Sequence, residues 1–496
     1  MTMPEQDRSR VRNAPRVVIV GGGISGLSTA WYLEQAARTH GLDIHYTLVE
    51  AAPRWGGKLC TDVVDSGEAQ PFVVEAGPDA FITMKPWALE LARELGLAEH
   101  LIPINPDVSA IYVLDRGRPV PMPEGVLLMV PTRFKPFVLS RLFSPAAKLR
   151  MGLDLVIPPR RDDGDETLAN FVRRRLGSEA LDKIAEPLMS GIYNADAEAM
   201  SIMATFPRFR ELEKKHGSLI RGMLASRPAK RGLAPGAPAS TAAFMSLRGG
   251  VQELSDALVP RLTGDLRHGT RITETRALPD GGYALTTDRG DTLHADAVVL
   301  TTAAYTAADL VRDLAPGVAD MLASIRYLST GTVTLAYRAS DITKPIDGLG
   351  LVVPKAENRP INAITIASTK FSHRAPKGTA LLRVFFGGTR SPASMEYDDN
   401  RLLAAVRDEL RDILGIHAVP IFHRIYRWPR ANPQYDVNHL ERVSRIEADL
   451  PRGLYVTGGA YRGVGMPDCV YQAKCTVERV IEQIEETSAS LRKAKP

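Results

Sequence analysis

Apolar residues first gather at Arg16–Val20 (RVVIV), a short β-branched run. Such a run predicts a strand buried on both faces within a parallel sheet. It leads into Gly21-Gly22-Gly23-Ile24-Ser25-Gly26, after which Leu27–Ala37 carries apolar positions at helical spacing. Ile44–Val49 (IHYTLV) predicts a second strand, ending at Glu50. The chain therefore opens as a strand–helix–strand unit. From Asp115 to about Arg231 the texture turns helical, with segments at Leu168–Leu176, Leu181–Met189 and Arg208–Leu224 separated by proline-rich joints. Lys230–Ser240 (KRGLAPGAPAS) has the composition of a loop. Strand alternation then returns at Ala284–Thr287, Thr292–Thr302, Thr332–Tyr337, Leu349–Val353, Asn362–Ile366 and Leu381–Phe386. Near the end, Leu454–Thr457 enters a glycine cluster and a helix over Gln472–Ile484, repeating the opening grammar.

A length of 496 residues predicts about three domains. The 44% hydrophobic and 24% charged fractions exclude disordered, collagen-like and coiled-coil chains. Three cysteines, Cys60, Cys469 and Cys475, cannot build a disulfide framework and none lies in a C-x-x-C pair, so neither disulfides nor a structural metal is expected. The net charge of +5 is dispersed among acids, which argues against nucleic acid and leaves room for a small polyacidic ligand. Met1–Arg16 has no apolar core of the secretory kind, and the longest uncharged stretch, Gly232–Leu247, is too short to span a bilayer. A cytoplasmic protein is expected. Arg133–Arg150 alternates basic and apolar residues, so it reads as a helix over a cavity or, less favoured, as a peripheral membrane contact.

The opening glycines have the spacing of a dinucleotide site. Gly21 serves the tight turn, Gly23 lets backbone approach a pyrophosphate, and Gly26 lets helix and strand pack closely. The helix N-terminus supplies N–H donors, and Glu50, 24 positions past Gly26, is placed to accept from ribose hydroxyls. The following stretch selects the dinucleotide. Glu50-Ala51-Ala52-Pro53-Arg54-Trp55-Gly56-Gly57-Lys58 resembles the E-x-x-x-R-x-G-G-[KR] signature of flavin oxidases built like glutathione reductase, which implies FAD. In such proteins Gly57 admits the flavin diphosphate and ribityl chain, and Arg54 or Lys58 balances its charge. Late in the chain, Val456–Ala460 and Gly463–Cys469 precede a helix whose first N–H groups would face the pyrimidine edge of the flavin.

Several segments together resemble the FAD-dependent porphyrinogen oxidases of haem synthesis, most of all the soluble bacterial coproporphyrinogen III oxidases. They are EAGPDAF at Glu75–Phe81, EPLMSGIY at Glu186–Tyr193, SIMATFP at Ser201–Pro207, KHGSLI at Lys215–Ile220, SLRGG at Ser246–Gly250 and GVGMPDC at Gly463–Cys469. The resemblance covers about Arg16–Ile484 and implies an α/β and α+β fold of monoamine-oxidase-like architecture. Its parts would be a discontinuous Rossmann FAD domain (1–105, 241–305 and 440–496), a helical domain over the active site (106–240) and a mixed-sheet substrate domain (306–439). By position, it assigns FAD contacts to Gly21, Gly22, Gly23, Ile24, Ser25, Gly26, Glu50, Ala51, Lys58, Gly77, Pro78, Asp79, Ala80, Ile272, Trp428, Val464, Gly465 and Met466. Leu349, Gly350 and Val352 would form the substrate wall, where the bland reading is sheet core. Lys85 would clamp a propionate or simply be solvated. Tyr193 would line the cavity or close a turn.

The activity implied is oxidation of coproporphyrinogen III to coproporphyrin III by six-electron removal, with O₂ reduced to H₂O₂ and the hard chemistry carried by the cofactor. No catalytic base is assigned and no metal is expected. A ferrochelatase in transient contact is implied as partner. The alternatives are protoporphyrinogen IX oxidation and, more remotely, an amine oxidase or a non-enzymatic prenyl-binding protein of the same fold.

Overall fold

The computed structural model describes residues 14–124, 126–127, 130–131, 133–190, 195–226, 243–343 and 347–493. Arg16–Val20 is the centre of a five-stranded parallel sheet, in the order Asp265–Arg267, His45–Val49, Arg16–Val20, Ala297–Leu300, Leu454–Val456. Four of the five residues of the central strand are buried, as its unbroken β-branched run requires. The strands come from three distant stretches, so the body is discontinuous, like the grammar of the two chain ends. Helices Ile24–His40 and Met466–Lys493 bury Leu27, Leu33, Val477 and Ile481 against one face of the sheet. The other face carries an antiparallel three-stranded ribbon, Ile272–Ala277, Tyr283–Thr287 and Thr292–Ala295.

The apolar run Thr292–Thr302 is two strands rather than one. Asp296 interrupts it, accepting the backbone N–H of Arg16 at 2.7 Å, and Ala297–Leu300 then crosses into the parallel sheet. Arg208–Leu224 likewise breaks into Pro207–His216 and Leu219–Ala225, because Gly217 caps the first helix at φ +70°. Leu181–Ser190 winds as wide π-type turns around Pro187, which has no N–H to give to an ordinary helix.

A second sheet has seven strands, in the order Phe422–Pro433, Tyr327–Arg338, Thr379–Gly387, Ala363–Ile366, Gly350–Val352, Ile111–Asp115, Arg118–Pro121. It is antiparallel except where Gly350–Val352 runs beside Ile111–Asp115. This moves the expected boundary at 106: strands at 111–121 belong to the mixed sheet, and the helical body begins after them. The boundary at 306 moves too, since helices Ala304–Val311 and Pro316–Ala323 bury Ala307, Val311, Val318 and Leu322 with the parallel sheet. Strand pairing overrides the change of texture at the first place and helix packing at the second.

The helical body has its own core, including Phe171, Val172, Phe209, Leu219 and Ile220, and meets the mixed sheet at Val113, Leu328 and Val352. Its buried Asp154 accepts Nε of Arg175 at 2.6 Å and Oγ of Ser218 at 2.6 Å, so a charge far from water is fully paired. Among the described residues no helix is long and apolar enough to cross a membrane.

Candidate active site

The first glycine turn lies at the C-terminal ends of the parallel strands, the edge where such sheets receive ligands. Gly21 adopts φ +112° and donates its N–H to Val49 O at 2.7 Å. A Cβ on Gly26 would fall 1.8 Å from Gly21 O, so helix and strand approach as only glycine permits. Thr301, at the end of a neighbouring strand, ties the turn by donating to Val20 O and Gly21 O. Gly23 differs: a Cβ there would meet nothing nearer than Gly57 Cα at 3.9 Å. Helix Ile24–His40 starts at this open spot with no side-chain cap and no acid in its first turn. Its first N–H groups are left for an outside acceptor, which is how a helix N-terminus receives a phosphate.

The second glycine motif folds onto the first. Gly56 donates to Gly22 O at 2.8 Å, and Gly23 and Gly56 form a parallel bridge. Glu50 accepts Gly22 N at 2.6 Å on one oxygen and Ala52 N at 2.7 Å on the other. Each oxygen keeps acceptor capacity for a hydroxyl. Arg54 gives its donors to the carbonyls of Trp55, Gly57 and Leu59, so it fixes the loop rather than presenting a free charge. Ala51 is exposed at its rim. Lys58 reaches Ala431 O on the mixed sheet. It is surrounded by protein yet retains accessible surface, as a side chain lining a deep cleft does, and burial pushes its ammonium below the ordinary lysine range.

The later segments converge on the same cleft. A Cβ on Gly458 would lie 3.0 Å from Ser25 Oγ, which puts the C-terminal turn against the start of the first helix. Val464 and Gly465 are partly exposed there, and Met466 opens the last helix with its side chain in the core. The Trp428 indole donates to Ala76 O at 2.8 Å, joining the mixed sheet to the Gly77–Ala80 loop. Ile272 is 6% exposed and packs with Val49 and Leu300 beneath the sheet, beside the residue, Thr270, that donates to Glu50 O. Burial raises the Cys469 thiol to about 11 and also raises Cys60, so neither sulfur is activated as a nucleophile.

On the substrate side, the Lys85 ammonium lies 2.6 Å from Asp468 Oδ1, bracing the Gly463–Cys469 turn. Leu349 and Val352 are partly exposed, and Val352 faces the helical core while its neighbour Leu351 points to the opposite side. Gly350 has no room for a side chain, since a Cβ would meet Ile364 O at 2.4 Å; its smallness answers to the neighbouring strand. Tyr193 lies outside the described residues.

A buried charge network escaped the sequence reading. Arg374 pairs with Glu75 at 2.9 Å and Lys370 with Asp79 at 2.8 Å. Arg383 donates to Ala76 O and Gly77 O. Burial pushes the Asp79 carboxyl up, but Lys370 and Arg383 outweigh it and hold it down at about 2. For Glu75 burial wins over Arg374, and the carboxyl is raised. The only sequence signal was an arginine inside an apolar strand, Leu381-Leu382-Arg383-Val384-Phe385. Three cations against two carboxylates leave this wall of the Gly77–Ala80 loop net positive.

The open Gly23 position, the uncapped helix and the Glu50 acceptor fit the phosphates and ribose of FAD. Comparison with known proteins agrees. The family described as flavin containing amine oxidoreductase matches residues 24–481. The coproporphyrinogen III oxidase of Bacillus subtilis (strain 168) is 35% identical over 467 residues, which cover 93% of this chain and 97% of that protein. That of Propionibacterium freudenreichii subsp. freudenreichii is 36% identical over 496 residues, covering 94% and 90%. A crystal structure from Exiguobacterium sp. 255-15, provisionally assigned as a protoporphyrinogen oxidase, superposes with a TM-score of 0.82 at 33% identity, covering 95% of this chain and 99% of that one. The chain thus belongs to the flavin-containing amine oxidoreductases, on their porphyrinogen-oxidase branch, and is an FAD-dependent oxidoreductase.

Proposed function

We propose that this enzyme oxidises coproporphyrinogen III to coproporphyrin III in haem biosynthesis. The observation that carries the reading is the 35–36% identity, over nearly the whole chain, to two proteins bearing that name. Bound FAD supplies two-electron oxidation of the macrocycle and reduction of O₂ to H₂O₂, repeated three times to remove six electrons.

The residues of this chain bind and orient. Glu50 would hold the ribose, the N–H groups that begin Ile24–His40 would hold the diphosphate, and the turn from Val464 to Met466 would lie against the ring system. The net positive wall behind Gly77–Ala80 favours an electron-rich cofactor. Leu349 and Val352 offer an apolar face to the tetrapyrrole where the mixed sheet meets the helical body. Protons from the pyrrole nitrogens leave through water, so no dedicated base is assigned. A cytoplasmic enzyme handing its porphyrin to a ferrochelatase completes the reading.

The test is an aerobic assay with coproporphyrinogen III and protoporphyrinogen IX in parallel, following porphyrin fluorescence and peroxide. Preferred turnover of coproporphyrinogen III, with three peroxides per porphyrin, supports the proposal. Turnover of protoporphyrinogen IX alone overturns it in favour of the second reading, which the Exiguobacterium structure keeps open.

A further inference from the structure

Between the strand Phe422–Pro433 and the helix His439–Asp449 lie Gln434 to Asn438, a short connection with an unusual set of partners. On one side it is bound to the helical body. Gln434 Oε1 accepts Asp196 N at 2.9 Å, and its Nε2 donates to Asp196 O at 3.2 Å. Tyr435 O accepts Ser201 N at 2.8 Å, Val437 N donates to Ala199 O at 3.1 Å, and Asn438 N donates to Asp165 Oδ2 at 2.9 Å. Five hydrogen bonds thus fasten the connection to the helical body, two of them through the Gln434 amide.

On the other side it closes the C-terminal glycine turn. The Tyr435 hydroxyl donates to Gly459 O at 2.8 Å and accepts Gly463 N at 2.9 Å, so one oxygen bridges both ends of the turn. The His439 ring stacks on Tyr435 with centroids 4.0 Å apart and an interplanar angle of 12°, and its Nε2 lies 2.8 Å from Tyr461 O. Tyr435 is 1% exposed and His439 is fully buried. Water cannot replace these bonds cheaply, because a buried backbone group left unpaired carries its full desolvation penalty. The turn has no regular secondary structure of its own to hold it. Its shape is set from outside, by Tyr435, by His439 and by Gln472, which accepts Arg462 N and donates to Gly463 O.

We propose that Tyr435 is a positioning residue of the oxidase, and that Gln434–His439 is the strut fixing the cofactor turn in register with the helical body. The hydroxyl of Tyr435 shapes the turn, and its main chain takes that shape from the Ala195–Ser201 segment. The inference rests on FAD lying against Val464–Met466, and it is independent of which porphyrinogen is oxidised.

The test uses full-length enzyme and FAD alone. Tyr435→Phe keeps the ring and its stack on His439 but removes the bridge. It is expected to raise the FAD Kd about tenfold or more and to shift the visible band and midpoint potential of the bound flavin. Gln434→Leu removes the two side-chain hydrogen bonds to Asp196 in the helical body, yet it is expected to raise the FAD Kd about threefold and shift the same band in the same direction. The double variant should fall short of the product of the two effects, as members of one network do. A wild-type Kd and spectrum in Tyr435→Phe would overturn the role of the hydroxyl. An effect in Tyr435→Phe with none in Gln434→Leu would overturn the strut. Should Tyr435→Phe not fold, Gln434→Leu decides alone: a wild-type Kd and band there also overturn the strut. Wild-type protein that binds no FAD would instead refute the placement of the cofactor.

Discussion

Adding a single methyl at Gly23 or at Gly26 separates what these glycines do for the fold from what they do for FAD. Gly23 has φ −74° and ψ −177°, a conformation that Ala adopts without strain, and a Cβ there meets only Gly57 Cα at 3.9 Å. Gly23→Ala should therefore leave the FAD-free protein within about 0.5 kcal/mol of wild type, the scale of an unstrained Gly→Ala change. The methyl instead enters the space into which the first helical N–H groups point. Loss or lengthening of one charge-assisted bond to the diphosphate costs about 1.5–3 kcal/mol, which is about 10–100-fold in Kd. Gly26→Ala is the contrast. Its Cβ would fall 1.8 Å from Gly21 O, so helix and strand must part by about 1.5 Å to reach ordinary contact. Overpacking of that kind costs about 1–3 kcal/mol or more before any cofactor is added. Urea unfolding of the FAD-free proteins and flavin fluorescence titration of the folded ones measure the two quantities separately. A wild-type Kd in Gly23→Ala, or a destabilisation of its FAD-free form as large as that of Gly26→Ala, would refute this division of roles between the two glycines.

Glu50→Leu should weaken FAD retention by about tenfold or more, since it removes the acceptor that also holds Gly22 N and Ala52 N; gel filtration with absorbance at the flavin band reads the loss, and full retention removes Glu50 from its role. His439 is held at about 4 by burial, so between about pH 6.5 and 4 the unfolded chain binds the extra proton and stability drops as pH falls. About 2 kcal/mol should vanish between pH 7 and 5, and His439→Gln, which keeps a donor for Tyr461 O without titrating, should flatten that slope in paired denaturation curves. Asp79 shifts the other way: its carboxylate at about 2 contributes stability above about pH 4, which is lost as pH falls toward 2. Lys370→Met should remove about 1–2 kcal/mol at pH 7 and little near pH 2, and a penalty independent of pH would refute the pairing.

The opening turn was legible from the chain because its constraints are local. A β-branched strand, a left-handed Gly21 and a Gly26 pressed on Gly21 O all concern residues within a few positions of one another. The second motif was legible as a motif, but its contact with the first was not. The bridge from Gly23 to Gly56 exists only once strand His45–Val49 lies beside Arg16–Val20. Lys85 shows the opposite failure, a side chain whose local sequence left it free and whose tertiary partner, Asp468, is 383 residues away.

By itself the sequence determined the type of turn, the alternation of the buried strands, the discontinuity of the parallel sheet and the family. The turn and the strands follow from backbone sterics and from periodicity, which act over one or two turns of chain, whereas the family and the discontinuous sheet were read from the resemblance of whole motifs to known proteins. Tertiary structure alone decided where charge is spent. Lys370 meets Asp79 across 291 residues, Arg383 meets Gly77 across 306, and Tyr435 bridges Gly459 and Gly463 because two bodies dock around it. Coulomb attraction and hydrogen bonding depend on distance in space and on local dielectric, and neither is written in the spacing of residues along the chain.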